Sequence, residues 1–313
     1  MKPVMVFLLI CTIPLTLTAQ RKWENVSSRF GSLPASVKVY LSTDSLNGRA
    51  FRAYYVEADL KDRKLEFTTE TGGGKRYTPS QYDSIYGPSY LVMNGTFFSF
   101  QTNQNLNVVI RNGKMEAYNV PALKSQAPDS FYYPTRSAIG ISRSRKADVA
   151  WLFTDTAEAY PYAFQDSPIL AKGNNPDPSF RDLQTNDQWK FWRMKTAIGG
   201  GPVLVKNGKK FITNREEQMF PTGLNDLHPR TAMGYTRNRK LILLVVEGRS
   251  KGVAEGISLD EMAELFVELK CVEALNLDGG GSSCLLVNGK ETIRPSDRQG
   301  QRAVPAVFMI RKK

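Results

Sequence analysis

Ser258-Leu259-Asp260-Glu261-Met262-Ala263-Glu264-Leu265-Phe266-Val267-Glu268-Leu269-Lys270 runs without a break into Cys271-Val272-Glu273-Ala274-Leu275-Asn276-Leu277-Asp278-Gly279-Gly280-Gly281-Ser282-Ser283. The stretch reads as a helix, a strand and a glycine loop in succession. Ser258 and Glu261 have capping-box spacing, in which each side chain takes a backbone N–H of the first turn. Leu259, Met262, Ala263, Phe266 and Leu269 recur at three- and four-residue steps, which puts them on one face of a helix over 259–270. Ala274–Leu277 then has strand character and delivers Asp278 to three consecutive glycines. Each glycine loses more backbone freedom on folding than any other residue, so such a run implies a sharp turn or a close approach to its N–H groups. A carboxylate at a strand end beside it reads as a site that handles an anion or a sugar.

The common glycine loops do not fit. Neither this run nor Gly72-Gly73-Gly74-Lys75-Arg76 matches the P-loop pattern, and Gly279–Cys284 fails the dinucleotide fingerprint by ending in cysteine. The nucleophile elbow is also missing here. Gly72–Gly74 lacks a downstream apolar flank and reads as a flexible loop.

Further out, residues 1–19 read as an export signal: Lys2 is the charged start, Val4–Leu17 an apolar core interrupted by Pro14, and Thr16–Ala19 a small-residue end before Gln20. No later run is long enough to span a bilayer. The expected product is secreted or periplasmic. The whole chain of 313 residues holds 42 Lys+Arg against 30 Asp+Glu; without Lys2 the balance is 41 against 30, a net +11. The basic residues are scattered, which suits anionic glycans or phosphates and gives no basis for nucleic-acid binding. Cys271 and Cys284, the two cysteines beyond the leader, are compatible with a disulfide in an oxidising compartment or with two buried thiols.

Alternating patterns predict strands around 51–58, 64–68, 90–93, 137–142, 148–154, 196–206, 230–236 and 239–247. A hairpin is expected at Asn288-Gly289, with a last strand near 304–310. Segments 121–135 and 166–186, rich in Pro, Asn and Asp, are expected to be long surface loops. The predicted class is α+β: a strand-rich mixed sheet with few helices, and an active site pooled at strand ends. The expected organisation is a leader at 1–19, a β-rich extension at 20–87 and a catalytic domain at 88–313.

Four clusters follow or border apolar strands: Asn94-Gly95-Thr96-Phe97-Phe98; Gly199-Gly200-Gly201-Pro202; His228-Pro229-Arg230-Thr231 with Glu247-Gly248-Arg249; and Asp278–Ser282. Glycine turns can present successive N–H groups to an anion, and arginine offers a fork that fits a phosphate. With His228 the only histidine, a multi-histidine metal site is excluded. No cofactor is expected, while an oxygen-ligated cation such as Ca²⁺ stays open. Ser282, His228 and Asp278 could in principle form a hydrolase triad, but no elbow supports it.

Taken in order, Asn94–Phe98, Ile198–Gly208, Pro229–Gly234, Glu247-Gly248-Arg249, Gly256–Leu259 with its helix, and Asn276–Ser283 resemble the phosphodiester glycosidase family, over roughly 88–310. The resemblance implies removal of a sugar from a sugar-phosphate-sugar diester. One position departs: the family pattern has Asp where this chain has Glu247, and the added methylene leaves the carboxylate geometry there unfixed. On this reading Asp278 is the catalytic carboxylate and Glu247 a second carboxylate or water-positioning base. Arg230 and Arg249 would bind phosphate with the N–H groups of Gly200, Gly201, Gly280 and Gly281. Asn94, Ser282 and Gly279 would contact the substrate, Phe97 would stack on it, and His228 would orient the loop. The expected partner is a phosphodiester-linked or anionic glycan. Two alternatives stay open: a non-catalytic glycan-binding protein on the same scaffold, and a phosphodiesterase that cuts P–O.

Overall fold

A computed structural model describes residues 21–180, 189–220 and 223–313. The leader expected at 1–19 and part of the 166–186 segment lie outside these. The strand Lys240–Val246 shows how the sequence builds the layers. Leu241, Leu243 and Val245 point into the largest core, with Trp151, Met93 and Phe308, while Ile242, Leu244 and Val246 point the opposite way. There they meet Leu259, Met262, Ala263 and Phe266 of the helix Leu259–Glu268. A strand buried on both faces must be a continuous apolar run, and each such side chain is worth about 1.5–3 kcal/mol of burial. The helix begins as its sequence dictates: Ser258 Oγ accepts the Glu261 N–H at 3.1 Å and Glu261 Oε2 accepts the Ser258 N–H at 3.0 Å.

Strands dominate, in an α+β fold with two α-helices among the described residues. An eight-stranded sheet runs Glu24–Asn25, Val37–Ser42, Ala53–Asp59, Lys240–Val246, Arg230–Thr236, Cys271–Asn276, Val203–Lys206, Lys209–Lys210, antiparallel throughout. A five-stranded sheet orders Lys290–Glu291, Leu285–Val287, Leu91–Asn94, Ala306–Lys312, Leu65–Thr71, and a seven-stranded sheet centres on Arg136–Ile141; both are also antiparallel. Val37–Ser42 and Ala53–Asp59 therefore sit in the same sheet as Arg230–Thr236, and Leu65–Thr71 pairs with the last strand. The expected hairpin turns at Asn288-Gly289.

Three expectations change. The strand expected over 196–206 breaks at Gly200-Gly201-Pro202, where the chain leaves the seven-stranded sheet (Thr196–Gly199) and joins the eight-stranded one (Val203–Lys206). Gly201 has φ +134°, and a side-chain carbon there would lie 2.7 Å from Glu217 Oε2. The segments expected as loops instead contribute Leu123–Lys124, Phe131–Pro134 and Leu170–Gly173 to a three-stranded sheet. Their polar composition hid pairings that only the tertiary fold supplies. A helix not expected, Pro79–Tyr86, starts from a Thr78–Gln81 capping box with proline at its first position, the signal by which it could have been found. Cys271 and Cys284 are both free and buried.

Candidate active site

Antiparallel pairing gathers the four clusters at one end of the strands. Asp278 follows Cys271–Asn276, whose Asn276 pairs with Ala232, so the start of Arg230–Thr236 lies beside it; Leu277 N–H donates to Thr231 O at 2.8 Å. Arg230 pairs with Val246, which brings Glu247 to the same end. Val203 pairs with Leu275, which brings in Gly200-Gly201-Pro202. The five-stranded sheet joins through Asp278 N–H, which donates to Gly95 O at 3.0 Å.

Asn94 is the fastener. Fully buried, it donates from Nδ2 to the Asp278 carbonyl at 2.6 Å. Its Oδ1 accepts Thr231 Oγ1–H at 2.8 Å and Cys284 N–H at 3.0 Å. Both ends of this amide are spent on the protein, so its geometry suits holding the Asp278 loop rather than touching a ligand.

Asp278 is the unusual group. Its Oδ1 accepts the Gly279 N–H at 3.0 Å. Oδ2 is buried without a hydrogen-bond partner, although the residue as a whole is only partly buried. Desolvation is the main reason its carboxyl is raised to about 7; the Ser282 hydroxyl, the Arg302 charge and the Gly279 N–H oppose the shift. The carboxyl therefore exchanges its proton near neutrality, the range in which a catalytic group is most useful.

Each glycine of the run faces an arginine. A side-chain carbon on Gly279 would come within 3.8 Å of Arg230 Cδ and 2.9 Å of Pro229 O. On Gly280 it would lie 2.9 Å from Arg249 Nη2, and on Gly281 it would overlap the Arg302 guanidinium. A side chain is excluded at Gly279 by the Pro229 carbonyl, with Arg230 at ordinary contact distance, at Gly280 by its φ of +60° and the Arg249 guanidinium, and at Gly281 by the Arg302 guanidinium. Arg230 is buried, donates from Nε to Ile257 O at 3.3 Å and from Nη2 to Asp226 O at 3.1 Å, and lies 5.4 Å over the Phe220 ring. Burial lowers it to about 10, against the pull of Asp226, and it stays cationic at neutral pH. Phe97 meets the edge of that same Phe220 ring, with centroids 5.8 Å apart.

Arg302, which carries no sequence signal, is ion-paired with Asp297 at 2.7 Å and reaches Ser282 Oγ at 3.4 Å. Arg249, in the left-handed region at φ +63°, contacts Ser296 Oγ at 3.4 Å, and that hydroxyl donates to Gly280 O at 3.2 Å. Buried Glu247 accepts the Arg294 N–H at 3.2 Å and faces Arg52 at 3.6 Å. The His228 imidazole is pushed below its ordinary range by burial and by Arg230 and Arg249, so it is neutral at neutral pH. No hydrogen bond joins His228 to Ser282 or Asp278 among the described residues, and the triad geometry is missing.

The expected anion cradle is also rearranged. Gly200 N–H donates to Ser137 O, Gly201 N–H to Asn276 O and Gly280 N–H to Pro229 O, at 2.9, 2.8 and 2.8 Å. These three of the four N–H groups expected in the cradle are spent on the chain itself, which moves the weight of the positive charge onto the guanidiniums. Among the described residues no cluster of three His, Cys, Asp or Glu side chains could hold a metal ion, and no helix is long and apolar enough to cross a membrane.

A strand-rich α+β scaffold that sets a desolvated carboxyl on a glycine loop in contact with three arginines defines a class of site suited to an anionic group. The phosphodiester glycosidase family model matches residues 87–311, and the chain belongs to that family. It is 38% identical over 109 residues to N-acetylglucosamine-1-phosphodiester alpha-N-acetylglucosaminidase of Bos taurus, and 35% identical over 109 residues to the Homo sapiens protein. These matches cover 32% of this chain but only 20% and 21% of those relatives. The zebrafish enzyme's catalytic domain, auto-inhibited by its pro-peptide, superposes with a TM-score of 0.62 at 19% identity, over 95% of this chain and 89% of that one. A hypothetical protein from Synechocystis shares the fold with a TM-score of 0.61 at 14% identity, over 94% of this chain and 68% of that one.

Proposed function

We propose that the chain is an exported hydrolase that cleaves the glycosidic C–O bond of a sugar phosphodiester, releasing the sugar and leaving a phosphate monoester on the remainder. The observation that carries this reading is the buried Asp278 carboxyl beside three glycines, each packed against a different arginine. The bovine and human relatives are named for the removal of N-acetylglucosamine from a 1-phosphodiester, which supports a substrate with a phosphodiester at its anomeric carbon.

The chemistry follows from the leaving group. A phosphate monoester is already a stable anion, so its departure needs little protonation; what must be stabilised is the negative charge collecting on it and the positive charge left at carbon. Arg230, Arg249 and Arg302 supply the first. Ionised Asp278 supplies the second, either facing the oxocarbenium-like carbon or bonding to it. The C–O electron pair leaves with phosphate, water's oxygen adds to the anomeric carbon, and its proton goes to solvent through a carboxylate, for which Glu247 is available. Phe97 offers a ring face to the sugar. Asn94 positions Asp278 through the backbone.

Sugar release from methyl N-acetylglucosamine-1-phosphodiester tests this. Asp278→Asn should abolish release, and Arg230→Ala should weaken the diester more than a neutral methyl glycoside. Activity should rise as pH climbs through about 7, since the ionised carboxylate is the active form. Hydrolysis in ¹⁸O-water should put label in the sugar hydroxyl; label in phosphate would mean P–O cleavage and sink the assignment.

A further inference from the structure

Next to the glycine run lies a cleft of about 480 Å³ walled by Glu247, Arg249, Arg294, Ser296, Asp297 and Arg298, among others. Its charges are unevenly matched. Two of its carboxylates are ion-paired, Glu247 with Arg52 and Asp297 with Arg302, and the third, Glu291, accepts from the neutral Gln301 Nε2 at 2.7 Å, so one carboxylate stands against three arginines. The exposed arginines 249, 294 and 298 have no carboxylate within ion-pair distance among the described residues. The cleft is also tied to the candidate site. Ser296 Oγ donates to Gly280 O at 3.2 Å, Arg249 touches both, and the Arg294 N–H is anchored on Glu247 at 3.2 Å. Three unneutralised guanidiniums on a rim stitched to a glycine loop form a second anion site continuous with the first. Guanidinium forks match phosphate oxygens in pairs.

We propose that this cleft binds the neighbouring phosphate of a substrate chain, so that the preferred substrate is a polymer of phosphodiester-linked sugars rather than an isolated diester. The inference rests on the glycosidase reading for which bond is cut, but not for what the cleft binds. Arg249 would hold the junction between the two phosphates, and Arg294 and Arg298 the distal one.

The test compares methyl N-acetylglucosamine-1-phosphodiester with a synthetic trimer of repeating N-acetylglucosamine-1-phosphate units, both fluorescently tagged. For the wild-type protein, kcat/KM per linkage should be about tenfold higher on the trimer, the effect of one added charge-assisted phosphate contact. The double variant Arg294→Ala/Arg298→Ala should lose that advantage while turnover of the single diester stays as it was. Equal rates on both substrates in the wild type, or an equal loss on both in the variant, overturns the proposal. Fluorescence anisotropy on the catalytically disabled Asp278→Asn protein reads the cleft separately. A trimer that binds about tenfold tighter than the single diester, with the preference lost on adding the two alanines, supports the cleft even if neither compound is hydrolysed. Absent turnover on both compounds with this binding preference intact would refute the glycosidase reading alone.

Discussion

Replacing Asp278 by asparagine should make the protein more stable at alkaline pH even as it removes activity. Burial raises the Asp278 carboxyl from an ordinary 3.8 to about 7, and the Ser282 hydroxyl, Arg302 and the Gly279 N–H offset this only in part. Between those values the folded chain keeps a proton that the unfolded chain has released. Below 3.8 both states are protonated and the group does not affect folding. Stability contributed by the neutral carboxyl is then lost as pH rises, and the loss is complete once pH exceeds the folded value. At roughly 1.4 kcal/mol for each tenfold change in proton affinity, the full loss is about 4 kcal/mol. Asparagine has nearly the same shape and no charge to desolvate, so it escapes the loss. Urea unfolding of both proteins should give equal stabilities at about pH 3 and a difference of about 4 kcal/mol in favour of the variant at about pH 8, with matching m-values. A difference that does not change with pH would refute the claim that this carboxyl is desolvated. The same samples report on chemistry: near-normal sugar release by the variant would remove Asp278 from the catalytic role.

Two glycine substitutions should separate function from folding. Gly281→Ala pushes against the movable end of Arg302 and should lower kcat/KM at least tenfold while costing about 1 kcal/mol or less. Gly200→Ala drives a methyl into the Asn276 carbonyl, which is backbone in the middle of the sheet, and should cost about 3 kcal/mol. Thermal unfolding of the pair would show the contrast, and a reversed order would contradict the packing described. Asn94→Ala deletes three side-chain hydrogen bonds in a dry site and strands the Cys284 N–H, so it should cost about 3 kcal/mol by chemical denaturation. Unchanged stability would mean that Asn94 does not fasten the Asp278 loop.

Local physics was legible in the chain. The capping box at Ser258 and the 3- and 4-residue apolar spacing fix the helix from Leu259. The segment 239–247 reads as a strand, whose burial on both faces the structure supplies, and Asn288-Gly289 signals a hairpin. The glycine run beside Asp278 implied a sharp turn or a close approach. These readings hold because each depends on neighbours within a few residues, where propensity and periodicity act. The tertiary structure decided what approaches: three arginines from positions 230, 249 and 302, the last with no local mark at all. It also turned Asn94 inward onto Asp278, Thr231 and Cys284, spent the N–H groups of Gly200, Gly201 and Gly280 on carbonyls, and sealed Asp278 Oδ2 from solvent. Desolvation and hydrogen-bond competition depend on which distant strands the antiparallel register brings together. Sequence alone therefore singled out Asp278 as a candidate, and the register of its sheet set the environment that raises its carboxyl to about 7.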